Sequence, residues 1–172
     1  TEIYTLSLHD ALPISNSAGI IFGGMCYAFE LHRSRLIDLS TAGEEFSVDF
    51  GFGDSVTNSE HTDAVLLRYK RTTSTEWMRV KNDGGAGVVE TATGIAVVED
   101  ANLNLRVEVA SDASRADFWV NRVHAGSETT GLPGVTDYLG YVWKIIKTAG
   151  TTARMWTADG MTIAFGKPTR RA

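Results

Sequence analysis

Three groups of side chains in this chain have types and spacings that could do chemistry. The first is Glu30, His32 and Ser34, a carboxylate, an imidazole and a hydroxyl at every second position of FELHRSRL. On a strand they share one face, but i and i+2 stand roughly 6.5–7 Å apart, beyond the reach of a simple proton relay. No G-x-S-x-G elbow and no orienting acid accompany them, so the row reads as a solvent-facing stripe. The second group is carboxylates. Retaining glycosidases need two of them about 5 Å apart. Glu44 and Glu45 are adjacent and point to opposite faces. Glu45 and Asp49 share a face, but Val48, Phe50 and Phe52 claim the other face as core, which leaves the pair on a solvated exterior. The third group is oxygen-rich loops: Asp54, Asn58 and Asp63 in one, Asn82 and Asp83 in another. Such oxygens suit calcium, yet loop Asp and Asn are turn formers first. No C-x-x-C, H-E-x-x-H or EF-hand string occurs, so neither a metal nor a cofactor is expected. The single cysteine, Cys26, reads as a small buried residue.

Aromatic side chains are the better lead. Trp119 alternates with Phe118 and Val120, so it should face away from the core. An outward tryptophan on a strand can stack on a sugar ring or anchor a protein contact. Asn104, Arg106 and Glu108 would occupy the outward face of a nearby strand. With Asn121 they complete a candidate ligand or interface surface of Trp119, Asn104, Arg106, Glu108 and Asn121. Trp143 shares a face with Tyr141 and Ile145 and belongs to the core.

The elements that must position these groups are strands. Period-two alternation runs through EEFSVDFGFGD, DAVLLRYK, LNLRVEVA and DFWVN; MCYAFELHRSRLI, YLGYVWKIIK and ARMWTADGMTIAF are further strong candidates. TEWMRVKN, GVVET and GIAVV are shorter ones. Asn82-Asp83-Gly84-Gly85, Ser111 to Ser114 and Thr148 to Thr151 look like hairpin tips. About ten short strands with no long amphipathic helix imply an all-β sandwich or barrel, and the apolar stripes Phe46 to Phe52 and Leu103 to Val109 suit the facing cores of an antiparallel sandwich.

Composition sets the outer bounds. The chain has 172 residues, 43% of them hydrophobic, 16 Lys+Arg against 21 Asp+Glu and a net charge of −5. That length suits one domain, and the acidic balance argues against nucleic acid. No apolar run approaches the ~20 residues that cross a bilayer. Thr1 to Ile14, TEIYTLSLHDALPI, resembles the conceptual translation of a common sequencing adapter. Residues 1–15 are therefore read as an adapter-derived artefact and residues 16–172 as a single sandwich domain, a fragment of environmental DNA truncated at its N-terminus. Glu2 and Asp10 carry two of the negative charges, which leaves −3 for the remainder.

With the strands placed, the order of motifs resembles a concanavalin A-like jelly-roll module of phage virion structural proteins. The carrying residues are FELHRSRL, FGFGDS and DAVLLRY, then Leu105 to Val109, Phe118 to Ala125 and Lys147 to Arg154. The module's hairpin usually reads Asn-Gly; here it is Asn121-Arg122, and arginine takes positive φ only at a cost, so a looser turn is possible. The superfamily also holds lectins and laminarinase-type glycosidases, but the E-x-D-x-x-E string of the latter is absent. The resemblance implies a non-enzymatic virion component of a capsid, tail or fibre. Its partners would be other virion subunits, with homo-oligomers expected. The alternative is a lectin-like, carbohydrate-binding module that adheres to glycans.

Overall fold

The computed structural model describes residues 4–5, 19–55, 59–84 and 87–166. Among them are twelve strands and no helix: β1 (Tyr4–Thr5), β2 (Cys26–Leu36), β3 (Phe46–Gly53), β4 (Asp63–Lys70), β5 (Glu76–Asp83), β6 (Val89–Ala96), β7 (Leu103–Val109), β8 (Ala116–Val120), β9 (Val123–Glu128), β10 (Gly140–Lys147), β11 (Trp156–Ala158) and β12 (Gly160–Gly166). Apart from Tyr4–Thr5, the adapter-like segment lies outside the described residues.

The strands form two antiparallel sheets. One runs β1-β11-β2-β7-β8-β9, with β12 also on β2; the other runs β10-β3-β4-β5-β6. This is an all-β sandwich, not the barrel that the alternation also allows. Phe46, Val48, Phe50 and Phe52 of β3 meet Phe29, Leu31, Leu105, Val107 and Phe118 across the interior, all at most 1% exposed. Phe29 stacks on Phe50 with ring centroids 4.5 Å apart. Trp77, Trp143 and Trp156 close one end of the core, Trp143 packing edge-on against Trp156. Each such side chain contributes about 1.5–3 kcal/mol by leaving water.

Four local expectations change. GVVET and GIAVV are one strand, β6, bent at Gly94 (φ 75°) where the pairing with β5 shifts register. ARMWTADGMTIAF divides at Asp159 into β11 and β12, which lie end to end along the same edge of β2. Thr148 to Thr151 is no hairpin tip: β10 and β11 belong to different sheets, so this loop carries the chain across the sandwich. β9, which the alternation did not reveal, pairs with β8 through Val120↔Val123, and Gly126 (φ 118°) breaks its pattern.

Candidate functional site

The predicted surface residues come from two neighbouring strands of the seven-stranded sheet, and the register brings most of them together. Pairing runs Thr162↔Glu30↔Arg106↔Trp119↔His124 across β12, β2, β7, β8 and β9. Paired residues share a sheet face, so five side chains form one row on the outer surface. At about 4.8 Å per strand the row spans roughly 19 Å. The next row is Ala28↔Glu108↔Asp117↔Ser127.

The Arg106 guanidinium carbon lies 5.4 Å from the centre of the Trp119 ring, within cation–π range. It donates through Nη2 to Glu108 (2.6 Å) and through Nη1 to Glu30 (3.4 Å). The Glu108 bond first, then the charges of both carboxylates, hold it above its ordinary pKa against the opposing effect of burial. On the far side of Trp119 the His124 ring sits at 5.4 Å. His124 Nε2 is 3.2 Å from Asp117 Oδ1, which also accepts from Ser127 Oγ (2.5 Å) and Arg115. Both Ser127 and Asp117 approach the same ring nitrogen, so the three do not form a charge-relay triad, which uses both nitrogens.

Over Trp119 opens a pocket of about 330 Å³ lined by Glu30, Asn104, Leu105, Arg106, Trp119 and Arg122. Of the predicted set, Asn104, Arg106 and Trp119 line it. Glu108 stands one pair along, clamping Arg106. Asn121 supports from the turn, its Oδ1 accepting from the Asn104 amide at 2.8 Å. Glu30, Arg122 and His124 were not in the predicted set. Glu30 stood among the outward positions of its strand pattern, whereas His124 lies on the strand that the alternation did not reveal, and the strand neighbours of both are set by pairing.

Two backbone irregularities shape this face. Asn121 (φ 52°) and Arg122 (φ 66°) are both left-handed, so the tight two-residue hairpin forms although its second position is an arginine; the looser turn is not adopted. In β2 the register against β7 shifts between Leu31 and Ser34, with Arg33 at φ 45°. This bulge returns the strand to phase one residue late. Glu30 and His32 remain outside, but Ser34 is turned inward, fully buried, donating to the Leu103 carbonyl. The expected Glu30–His32–Ser34 row is thereby broken by the bulge. Arg33 gives its amide to Asn104 Oδ1 (3.1 Å). Beyond it lies a second pocket of about 260 Å³ between Arg33, Arg35, Asn102 and Asp159. The two pockets thus adjoin on one face.

The outer face of the five-stranded sheet is chemically different. Lys144↔Asp49↔Arg68↔Met78 form an in-register row on it. Asp49 was expected on a solvated exterior with Glu45; it is instead wholly buried. Burial alone would raise its pKa, but the His61 ring and the Arg68 guanidinium hold it well below the carboxylate range. Arg68 donates to Asp49 through Nε (2.7 Å) and Nη2 (3.0 Å), and to Glu60 and Glu90. His61 is 2% exposed, Nε2 3.4 Å from Asp49 Oδ2 and Nδ1 accepting from the Ser55 amide. Gly53 is required here, since a Cβ would run into the His61 ring. Every Arg68 nitrogen is spent on this protein's own carboxylates, so the cluster as folded offers no free cation to a ligand. It is an ion network that fastens the β3–β4 loop to the sheet.

Asp63 and Asp83 pair directly across β4 and β5. Burial first, then Asp137, Asp54 and Asp83, raise the Asp63 pKa. Asn58 lies outside the described residues. Among the described residues no group of three or more His, Cys, Asp or Glu is disposed to hold a metal ion. Cys26 is half-buried rather than buried, and its thiol donates to the Gly166 carbonyl.

No protein-family model matches the chain, and no curated protein matches it in sequence. Solved structures do match in fold. Alginate lyase A1-II′, a member of polysaccharide lyase family 7, superposes with a TM-score of 0.57 at 11% identity, over 88% of this chain and 66% of its own. The chain therefore spans just under two thirds of that enzyme. An endo-β-1,4-glucuronan lyase from the fungus Trichoderma reesei gives 0.59 at 13% identity, over 98% and 76%. Alginate lyase AlyC3 in complex with dimannuronate gives 0.65 at 9% identity, over 97% and 75%. The sandwich is thus the concanavalin A-like jelly roll of these proteins.

These matches correct the expectation of a non-enzymatic virion module: the three structures above are polysaccharide lyases, and nothing points to a virion. The absence of paired carboxylates and of a nucleophile elbow argues only against hydrolases that use those groups, and says nothing of other carbohydrate chemistry.

Proposed function

We propose that this domain engages a polysaccharide chain on the outer face of its seven-stranded sheet, with Trp119 as the stacking platform. The observation that carries the reading is the in-register row Thr162–Glu30–Arg106–Trp119–His124, whose Glu30, Arg106 and Trp119 line the pocket. It supplies an apolar ring for a sugar face, flanked by fixed donors and acceptors for hydroxyls, the usual make-up of a ligand pocket. The adjoining pocket at Arg33 and Arg35 extends it to more than one sugar unit. The fold shared with polysaccharide lyases supports the class of ligand.

A second reading is eliminative cleavage of a uronate. It is favoured by the arrangement about Trp119: a guanidinium on one side and an imidazole on the other, each 5.4 Å away. Over that ring Arg106 would neutralise the sugar carboxylate. His124 would take the proton alpha to it, the β carbon–oxygen bond would break, and the leaving oxygen would be protonated by the imidazolium so formed or by water.

Titration calorimetry with alginate, glucuronan and neutral glucan oligosaccharides tests the first reading. Trp119→Ala should weaken binding at least tenfold while leaving the thermal midpoint nearly unchanged, because the ring is only half-buried. Failure of every glycan to bind, or equal binding by Trp119→Ala, would overturn it. For the second reading, the same uronates are followed for the ultraviolet absorbance of unsaturated chain ends. His124→Asn should abolish that product and retain binding; no product from the unaltered protein would leave binding alone.

A further inference from the structure

We propose that β12 is a self-pairing edge through which two copies of this chain join into one continuous sheet. The edges of a sandwich expose unpaired N–H and C=O groups, and proteins normally blunt them with charge, bulges or brevity. The other edges here are so guarded. β9 carries His124, Glu128 and a register shift at Gly126; β6 carries Glu90 and the bend at Gly94; β10 carries Lys144 and Lys147; β1 is two residues long. β12 has none of these devices. Its sequence, GMTIAFG, contains no charge, and it pairs with β2 without interruption from Gly160↔His32 to Gly166↔Cys26. Among the described residues nothing hydrogen-bonds its other side.

The apolar surface lies in the same place. β10, the opposing sheet's edge, packs beneath β2 and β11, through Phe29–Tyr141 and Trp143–Trp156. β12 therefore overhangs it, and Ile163 and Phe165 are 39% and 68% exposed on the inward face. Phe165 pairs with Tyr27, at the end where Met25, Val135 and Tyr138 are also exposed; Val135 and Tyr138 lie over Gly23 and Gly19, in the segment entering β2. These five side chains expose on the order of 600 Å², approaching the ~800 Å² per partner of a standard interface before the strand backbone is counted.

The sequence of β12 identifies the occupant as a second copy. Antiparallel pairing about a two-fold axis at Ile163 sets Gly160 opposite Gly166, Met161 opposite Phe165 and Thr162 opposite Ala164, with Ile163 opposite itself. Large apolar meets large apolar, and small meets small, as an isologous contact requires. The two inward faces then cover each other's Ile163 and Phe165 in the gap beyond the β10 edges.

Sedimentation equilibrium and disulfide trapping test this. The unaltered protein should show twice the monomer mass, and Ile163→Lys and Phe165→Lys should halve it while keeping the β-sheet circular dichroism. In a Cys26→Ser background, Ile163→Cys should oxidise to a covalent dimer, because opposed Cα atoms about 4.5–5.5 Å apart suit a disulfide. Val123→Cys, at the opposite edge of the sheet, should stay monomeric under the same conditions. A monomeric unaltered protein with no trapping at Ile163→Cys would overturn the proposal. So would a dimer that survives both lysine substitutions, or equal trapping at Val123→Cys.

Discussion

Arg122 concentrates strain and function in one residue. A non-glycine residue in the left-handed region costs about 1–2 kcal/mol, and Arg122 sits there at φ 66° while lining the Trp119 pocket. Among the described residues it makes no ion pair, so its guanidinium is available to a ligand. Arg122→Gly should therefore raise stability by about 1 kcal/mol, seen as a higher thermal midpoint, and weaken glycan binding severalfold by calorimetry. A variant that is stabilised and binds as well as before would show that the arginine serves no ligand. The arginine was legible as an oddity of the sequence, a departure from Asn-Gly. Its sequence did not place it beside Trp119 and Arg106, because that depends on a hairpin folding back along β8.

At the level of elements, the run Lys147 to Arg154 shows how a motif can be structural. Glu44, before β3, accepts from Lys147 Nζ (2.7 Å), the amides of Thr151 and Thr152, and the Thr152 hydroxyl. Lys147 also caps the Thr152 carbonyl. Gly150 takes φ 84°, and a side chain there would collide with Glu44. Arg154 reaches Asp38 at 3.2 Å. The motif is a clasp that carries the chain from one sheet to the other, which is why it reads as a hairpin tip in sequence and is none in space. The Lys147 bond first, then the Thr152 and Thr151 donors, lower the Glu44 pKa to about 2. The amide proton shifts of Thr151 and Thr152 should accordingly titrate near pH 2, rather than near the ordinary glutamate value of about 4.3. Glu44→Gln should abolish that titration and speed hydrogen exchange of both amides. Titration near pH 4 would show that the clasp is open in solution.

For the whole molecule, the buried network at Asp49 couples folding to pH. Its folded pKa lies below the unfolded value, so its contribution is complete above about pH 4 and is lost as pH falls through the range down to the folded value. Urea midpoints should fall steadily as pH drops from about 4 toward the folded value. Asp49→Asn should cost about 3–5 kcal/mol at neutral pH, by removing the wholly buried carboxylate that faces Arg68, His61 and Lys144 together, and should flatten that pH dependence. An Asp49→Asn protein as stable as its parent would place the network outside the cooperative fold. By itself the sequence determined the all-β class, since its period-two apolar stripes are those of half-buried strands, and it determined that Trp119 and Arg106 point outward from their strands; the pairing decided that the sheets stack as a sandwich rather than close as a barrel. It misjudged Asp49 and Ser34. Alternation gives the face but not what covers it, and a single bulge at Arg33 inverts the phase downstream. Only the tertiary structure decided which strands are neighbours. That choice sets the row from Thr162 to His124, the burial of Asp49 and the bare edge at β12, because cross-strand pairing joins residues that no local spacing relates.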